Sequence, residues 1–117
     1  MVKAIDLKTA GCTVFEGDES PLTHEDAESL CEQLHPDWAI SVDNRSLSRN
    51  FRFRDFYETM KFVDQVAELV HKEDHHPYFE VSYNRCMIRY TTHSLNGLSV
   101  NDFICASHVD TLWEPST

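Results

Sequence analysis

The spacing of the apolar residues switches between the helical and the strand period along this chain. The order of these helical and strand segments is the feature that most restricts the fold. Three segments show helical spacing, and two pairs of segments show the alternation typical of half-buried strands. The predicted order is therefore α-β-β-α-β-β-α. Two hairpins form a four-stranded sheet, and three amphipathic helices need an apolar surface to cover. We expect an α+β fold, in which a four-stranded antiparallel sheet has three helices packed on one face.

Each predicted helix begins with a capping pattern, in which a side-chain oxygen accepts from a backbone N–H of the first turn. The pairs are Thr23 with Asp26, Asp55 with Glu58, and Ser99 with Asp102. Pro36 and Pro77 are predicted to end the first two helices, because the residue before a proline is disfavoured in helical geometry.

The same periodicities predict which side chains face the core. The first helix buries Ala27, Leu30, Cys31 and Leu34, the second Phe56, Met60, Val63, Ala67 and Val70, and the third Phe103, Ala106 and Trp113. The strands alternate at Trp38, Ile40 and Val42, at Leu47, Phe51 and Phe53, at Phe79, Val81 and Tyr83, and at Cys86, Ile88 and Tyr90. Turns are predicted at 43–46 and at Asn84-Arg85, and His93 is placed at the end of the last strand.

Length and composition restrict the protein's class. A chain of 117 residues is typical of one core, so we expect a single domain at 23–117. Residues 1–22 are weakly periodic and turn-rich at 17–21, and are predicted to be an N-terminal extension of uncertain structure. No run approaches the ~18 apolar residues of a membrane-spanning helix. The net charge of −10 argues against binding to nucleic acid, whose phosphates would be repelled.

The four cysteines are scattered and form no C-x-x-C pair. The first residues lack the apolar stretch of a secretory signal and contain acids, which transit peptides avoid. We therefore expect a cytoplasmic protein whose cysteines are mostly small core residues rather than disulfide partners.

The segment Asp74-His75-His76-Pro77 carries the densest chemistry. Imidazoles titrate near neutrality and can donate or accept a proton, and a helix end can aim two adjacent rings into one cleft. The alternative is purely electrostatic, since a histidine at a helix C-terminus also complements the helix dipole. A metal site is a further alternative, because His71 and His75 would share a helix face, although no third ligand is fixed by spacing.

Residues 71–102 closely resemble the pterin-4a-carbinolamine dehydratase family. The resemblance is carried by His75-His76-Pro77 after a long helix, by Thr92-His93 followed by Gly97-Leu98-Ser99, and by Asp102 in the last helix. It extends upstream through Trp38 and the aromatic segment 51–56, and covers roughly residues 23–113.

The resemblance implies a dehydratase without metal or redox cofactor. Its substrate would be a 4a-hydroxytetrahydropterin released by an aromatic amino-acid hydroxylase, and its products quinonoid dihydropterin and water. His75 and His93 match the acids on opposite faces of the pterin ring, and His76 matches a pterin-contacting residue and candidate base. Asp74 and Asp102 match positions that orient or hydrogen-bond within the site.

One position departs from the family pattern. The family commonly has glutamate where this chain has His71, so His71 would take that pterin-binding place, and the replacement would weaken activity or move the role of the carboxylate to Glu73 or Asp74. Family members are typically homodimers or homotetramers, in agreement with the open sheet edges expected here. A non-catalytic pterin-binding or protein-interaction module of the same fold is the alternative function.

Overall fold

The computed structural model describes residues 5–13 and 20–113. Its elements are α1 His24–Cys31, β1 Ala39–Ile40, β2 Leu47–Arg52, α2 Phe56–Glu73, β3 Tyr78–Ser82, β4 Arg85–Tyr90, a 3₁₀ turn His93–Leu95, and α3 Val100–Leu112. The predicted order of helices and strands is confirmed. Most of the turn predicted at 17–21 lies outside the described residues. Within the described ranges, no helix is both long and apolar enough to cross a membrane.

The four strands form one antiparallel sheet in the order β1-β2-β4-β3. The two hairpins join through β2 and β4, where Phe51 lies opposite Cys86. Inward-facing side chains of the central strands pack against all three helices in one core, which includes Leu47, Phe51, Ile88 and Tyr90 from the sheet and Leu30, Val66 and Phe103 from the helices. The predicted α+β fold with the helices on one face is confirmed.

All three predicted helix starts are confirmed. The Thr23 hydroxyl accepts from the Asp26 amide at 3.1 Å, and Asp55 accepts from the Glu58 amide at 2.9 Å. The predicted helix ends are wrong. Helix α1 ends at Cys31, well before Pro36. Helix α2 ends at Glu73, because Asp74 adopts a left-handed conformation with φ 54° and stops the helix before Pro77.

The predicted buried face of α2 is confirmed at Val70 but is wrong by about one position earlier in the helix. The fully or nearly buried residues are Thr59, Phe62, Val66 and Val70, whereas Phe56 is 50% exposed and Ala67 is exposed. Thr59 can face the core because its hydroxyl has backbone carbonyls to donate to. The carbonyl oxygens of Asp55 and Tyr83 lie 2.9 and 3.0 Å from Oγ1. A satisfied hydroxyl is compatible with burial, which a hydrophobic pattern does not reveal.

The predicted hairpins are also shifted in detail. Strand β1 is shorter than predicted, and Val42 is fully exposed in the turn that follows it. The second hairpin turns at Tyr83-Asn84, one residue before the predicted position. In β2, Arg49 shares the inward face with Leu47 and Phe51 and is only 3% exposed.

Arg49 is buried because its charge is paired. Its guanidinium donates to Asp110 Oδ1 at 2.7 Å, and Trp38 Nε1 donates to the same oxygen at 2.8 Å. The guanidinium carbon also lies 4.3 Å and 4.8 Å from the ring centres of Phe51 and Trp113. This cluster joins β2 to the C-terminal part of α3, and its residues are not among those that line the cleft described below.

Part of the predicted N-terminal extension packs against the domain. Leu7 is fully buried in the core. Its amide donates to Gln33 Oε1 at 3.2 Å, and Gln33 Nε2 donates to the Ile5 carbonyl at 2.9 Å. Residues 5–13 therefore run along the helical layer.

Candidate active site

The end of α2 and the loop after β4 meet at a cleft of about 390 Å³. Its lining includes all three histidines proposed from the sequence as catalytic, His75, His76 and His93. Asp74 and Glu73 also line it. Residues that are separated along the chain by a hairpin are therefore brought to one surface.

The break at Asp74 is what delivers the two adjacent imidazoles to the cleft. Its left-handed backbone, with φ 54° and ψ 40°, turns the chain out of the helix, and its amide donates to the Val70 carbonyl at 2.8 Å. His75 and His76 follow outside regular structure, before β3 begins at Tyr78. Aspartate tolerates this conformation better than most residues, so the local sequence favours the turn.

His75 is held on two sides. Its Nε2 lies 2.6 Å from Asp102 Oδ1, and its ring is parallel to that of Tyr90 within 5°, with the ring centres 5.6 Å apart. The side chain of His75 is 14% exposed, whereas Asp102 is completely buried. Burial raises the pKa of the Tyr90 phenol, so the ring that supports His75 stays neutral. The imidazole is therefore fixed in orientation with one edge turned to a carboxylate.

Asp102 also completes the start of α3. Its Oδ2 accepts from the Ser99 amide at 2.9 Å and from the Thr92 hydroxyl at 2.8 Å. The Ser99 hydroxyl lies 2.6 Å from Thr92 Oγ1 and donates to it, because the Thr92 hydrogen is directed to Asp102. The predicted capping box is confirmed. The same buried carboxylate thus caps the helix and orients His75.

The hydrogen-bond pattern fixes which nitrogen of His75 carries a hydrogen. A carboxylate only accepts, so Nε2 of His75 donates to Asp102. Nδ1 is then the nitrogen left to exchange a proton with a ligand. Carboxylate and imidazole in this arrangement form the orienting half of the acid–base devices found in many hydrolytic enzymes.

His93 lies in a different element from the one predicted. Strand β4 ends at Tyr90, and His93 begins the 3₁₀ turn. The turn is closed by a bridge in which the Thr92 amide donates to the Gly97 carbonyl at 2.9 Å. His93 and His76 are both exposed, so each ring is accessible to a molecule in the cleft.

His71 is not brought into the cleft. It is exposed on α2 and is absent from the cleft lining. The helix ends before His75, so the shared helix face that the metal alternative requires does not form. Among residues 5–13 and 20–113, no group of three or more histidine, cysteine or acidic side chains is arranged to hold a metal ion.

Sequence reasoning missed one wall of the cleft, which is built by Cys12, Thr13 and Asn101. The Thr13 amide donates to Asn101 Oδ1 at 3.0 Å, and Asn101 Nδ2 donates to the Thr13 carbonyl at 2.8 Å. The Cys12 amide donates to Glu73 Oε1 at 2.8 Å. These contacts join residues far apart in the chain, and no local pattern signals them.

The family model for pterin 4 alpha carbinolamine dehydratase matches residues 20–112. The chain belongs to this family. A protein of Nitrosomonas eutropha named "Putative pterin-4-alpha-carbinolamine dehydratase" is 49% identical over 112 residues, which cover 96% of this chain and 97% of that protein. A protein of the same name from Legionella pneumophila strain Corby is 45% identical over 107 residues, covering 92% and 95%.

Solved structures agree with the family assignment. A Brucella melitensis protein described as a transcriptional coactivator/pterin dehydratase superimposes with a TM-score of 0.74 at 29% identity, covering 80% of this chain and 98% of that one. A pterin dehydratase-like protein identified as a RuBisCO assembly factor in the alpha-carboxysome gives 0.58 at 23% identity, covering 67% and 90%. The second likeness shows the fold alone.

Proposed function

We propose that the protein is a 4a-hydroxytetrahydrobiopterin dehydratase, which converts 4a-hydroxytetrahydropterin to quinonoid dihydropterin and water. The observation that carries this proposal is the single cleft lined by His75, His76 and His93, in which His75 is oriented by the buried Asp102. Family membership supports the reaction class, and the accessible imidazoles support general acid–base catalysis.

The reaction is an elimination that needs one acid and one base. The C4a–O bond breaks as the acid protonates the hydroxyl, which leaves as water. A ring N–H loses its proton to the base, and its electron pair forms the new C=N bond. No electron acceptor is needed, so the proposed mechanism uses no metal or redox cofactor.

We assign His75 and His93 as acids on opposite faces of the pterin ring, and His76 as the ring contact and candidate base. In this scheme His75 delivers a proton from Nδ1, while its Nε2 hydrogen bond to Asp102 compensates the positive charge of the imidazolium. General acid–base assistance of this kind contributes typically ~10²–10⁴-fold to a rate.

The acidic side chains of the cleft suit the hydrogen-bond donors of a pterin. Asp74 and Glu73 both line the cleft and offer acceptors for the ring amine and ring N–H groups. His71, expected from the resemblance to bind the pterin, is left out of this proposal because it is exposed and does not line the cleft. Asp102 is fully buried, so its proposed role is to orient His75 rather than to touch the pterin.

The proposed biological role is pterin recycling in the cytoplasm beside an aromatic amino-acid hydroxylase, which would supply the substrate. We also propose a homodimer or homotetramer. Strand β3 is an edge strand, in which Tyr78 and Val81 are 52% and 41% exposed, and Tyr83 in the turn after it is 64% exposed. Light scattering measures the mass in solution, and a monomer at micromolar concentration would contradict this assignment.

The second candidate is a pterin-binding or protein-interaction module without turnover. The description of the Brucella melitensis structure favours it, because that protein is called a transcriptional coactivator as well as a pterin dehydratase. His71, which stands where the family commonly has glutamate, also favours a module without turnover.

The deciding experiment measures dehydration of carbinolamine generated in situ by a purified hydroxylase. We expect the protein to accelerate the decay over buffer and His76→Ala to slow it. His75→Ala combined with His93→Ala should lose most of the activity, and either change alone less, because each imidazole serves one hydroxyl epimer. His24→Ala is the matched control, since this ring is 62% exposed and lies outside the cleft lining.

The enzyme proposal would be contradicted if two results were obtained together. One is a decay rate equal to that in buffer, and the other is a rate unaffected by His76→Ala. Titration calorimetry with dihydrobiopterin then separates the candidates, because binding without acceleration supports the module.

A further inference from the structure

Two of the four cysteines lie in contact. The Sγ atoms of Cys12 and Cys105 are 3.3 Å apart, although the residues are 93 positions apart in the chain. Cys12 is partly exposed and lines the cleft, whereas Cys105 is buried on α3. We propose that Cys12 and Cys105 form a reversible disulfide, which locks the N-terminal segment 5–13 onto α3 and fixes one wall of the cleft.

The surrounding contacts already hold the two thiols together. Cys12 and Thr13 are anchored by Glu73 and by the reciprocal amide pair with Asn101. A disulfide bond is about 2.05 Å long, so the sulfurs must approach by about 1.2 Å from their present separation. A shift of that size does not require the anchoring hydrogen bonds to break.

The oxidant we name is glutathione disulfide. The Cys12 thiolate attacks one of its sulfur atoms, the S–S bond breaks, and one glutathione leaves as a thiol. The Cys105 sulfur then attacks Cys12 Sγ, loses its proton, and displaces the second glutathione. Overall the two protein thiols lose two protons and two electrons, and one glutathione disulfide becomes two glutathione molecules.

Exposure sets the order of these steps. Cys12 is the more exposed residue of the pair and lines the cleft, so glutathione disulfide reaches it first. Its hydrogen bond to Cys105, together with burial, raises the pKa of the Cys105 thiol. Cys105 therefore acts second, as the resolving thiol, once Cys12 is activated as a mixed disulfide. Cys31 and Cys86 are not involved.

The bond would change the stability of the segment that it tethers. It closes a loop that contains most of the chain, and such loops gain the most from a cross-link. We expect the melting temperature to rise by about 10 °C on oxidation. Amide exchange at Cys12 and Thr13 should slow as well, because their hydrogen bonds can no longer open by release of the segment.

The test treats the native protein with glutathione disulfide and counts free thiols. We expect four thiols to become two, with a mass loss of two hydrogen atoms, no retained glutathione, a peptide joining Cys12 to Cys105, and full reversal by dithiothreitol. Cys31→Ser is the matched control and should behave like the wild type. Cys12→Ser should form no intramolecular bond and show no rise in melting temperature.

Three outcomes would overturn the proposal. They are a stable glutathione adduct at Cys12 that Cys105 does not displace, a bond that includes Cys31 or Cys86, and retention of all four thiols with unchanged amide exchange. None of these results depends on dehydratase activity, so the proposal stands or falls separately from the proposed function.

Discussion

Replacing Asp102 by asparagine preserves the shape of the side chain and removes its charge. In the wild type, Oδ2 accepts from the Ser99 amide and the Thr92 hydroxyl, while Oδ1 accepts from His75. The asparagine oxygen must stay toward Ser99, because an amide N–H there would face a backbone N–H. The NH₂ group then faces His75 and donates to Nε2. Nε2 must then accept a hydrogen bond and can no longer carry a hydrogen, so the imidazolium from which His75 would deliver its Nδ1 proton is disfavoured.

The size of the effect follows from the bond that is lost. A hydrogen bond to a charged group contributes about 1.5–3 kcal/mol. Converted at 1.4 kcal/mol per factor of ten, this corresponds to a fall of roughly 10- to 150-fold in kcat. The fall is no larger than the ~10²–10⁴-fold that acid–base assistance provides, as expected for a residue that supports the acid without replacing it. KM should change little, because Asp102 is fully buried and does not reach the pterin.

The assay is the carbinolamine decay, with kcat and KM determined separately and the tautomer of His75 followed by ¹⁵N chemical shifts of its ring. Asp110→Asn is the matched control. It makes the same change on the same helix, where Asp110 accepts from Trp38 and Arg49 instead of a cleft residue. We expect Asp110→Asn to lower stability but to leave kcat within about twofold of the wild type.

The orienting role of Asp102 is contradicted if Asp102→Asn keeps wild-type kcat although the ¹⁵N shifts show that Nε2 of His75 has lost its hydrogen. It is also refuted if both asparagine variants lower kcat equally, because the loss would then reflect general destabilisation rather than the orientation of His75.

The remaining predictions concern stability. Burial raises the pKa of Cys86 to about 11, so the unfolded state loses this proton first as the pH rises above about 9. The free energy of unfolding should therefore fall by up to about 1.4 kcal/mol per pH unit between pH 9 and pH 11. Urea titrations across this range should show a shallower fall for Cys86→Ala, which lacks the thiol. An equal fall in the variant and the wild type would contradict this. Phe62→Ala should cost about 3–5 kcal/mol and Phe56→Ala less than about 1, because Phe62 is 3% and Phe56 50% exposed. Similar losses of unfolding free energy in both variants, measured by urea unfolding, would contradict the assignment of Phe62 to the buried face of α2.

The helix starts were predictable because a cap depends on residues three positions apart, as at Thr23 and Asp55. The end of α2 was less predictable, because it depends on the backbone conformation of Asp74 rather than on Pro77. The buried face of α2 was misassigned because Thr59 reads as polar, although its hydroxyl is satisfied by a carbonyl of the neighbouring hairpin.

In the candidate site, too, the residues that depend on local patterns were predictable, and those that depend on distant contacts were not. The adjacent His75 and His76 and the cap at Asp102 are local patterns, and sequence reasoning found them. The 2.6 Å contact between His75 and Asp102 was not predicted, since the family resemblance implied only that Asp102 orients or hydrogen-bonds within the site. The wall formed by Cys12 and Asn101 depends on contacts spanning 61 residues or more, which no local periodicity encodes.

The most direct test of the central claim is a crystal structure of the protein with 7,8-dihydrobiopterin. We predict that the bicyclic ring lies in the cleft with His75 and His93 on opposite faces and His76 in contact with its polar edge. A pterin bound outside this cleft, or one that leaves these imidazoles out of contact, would contradict the proposed acid–base mechanism.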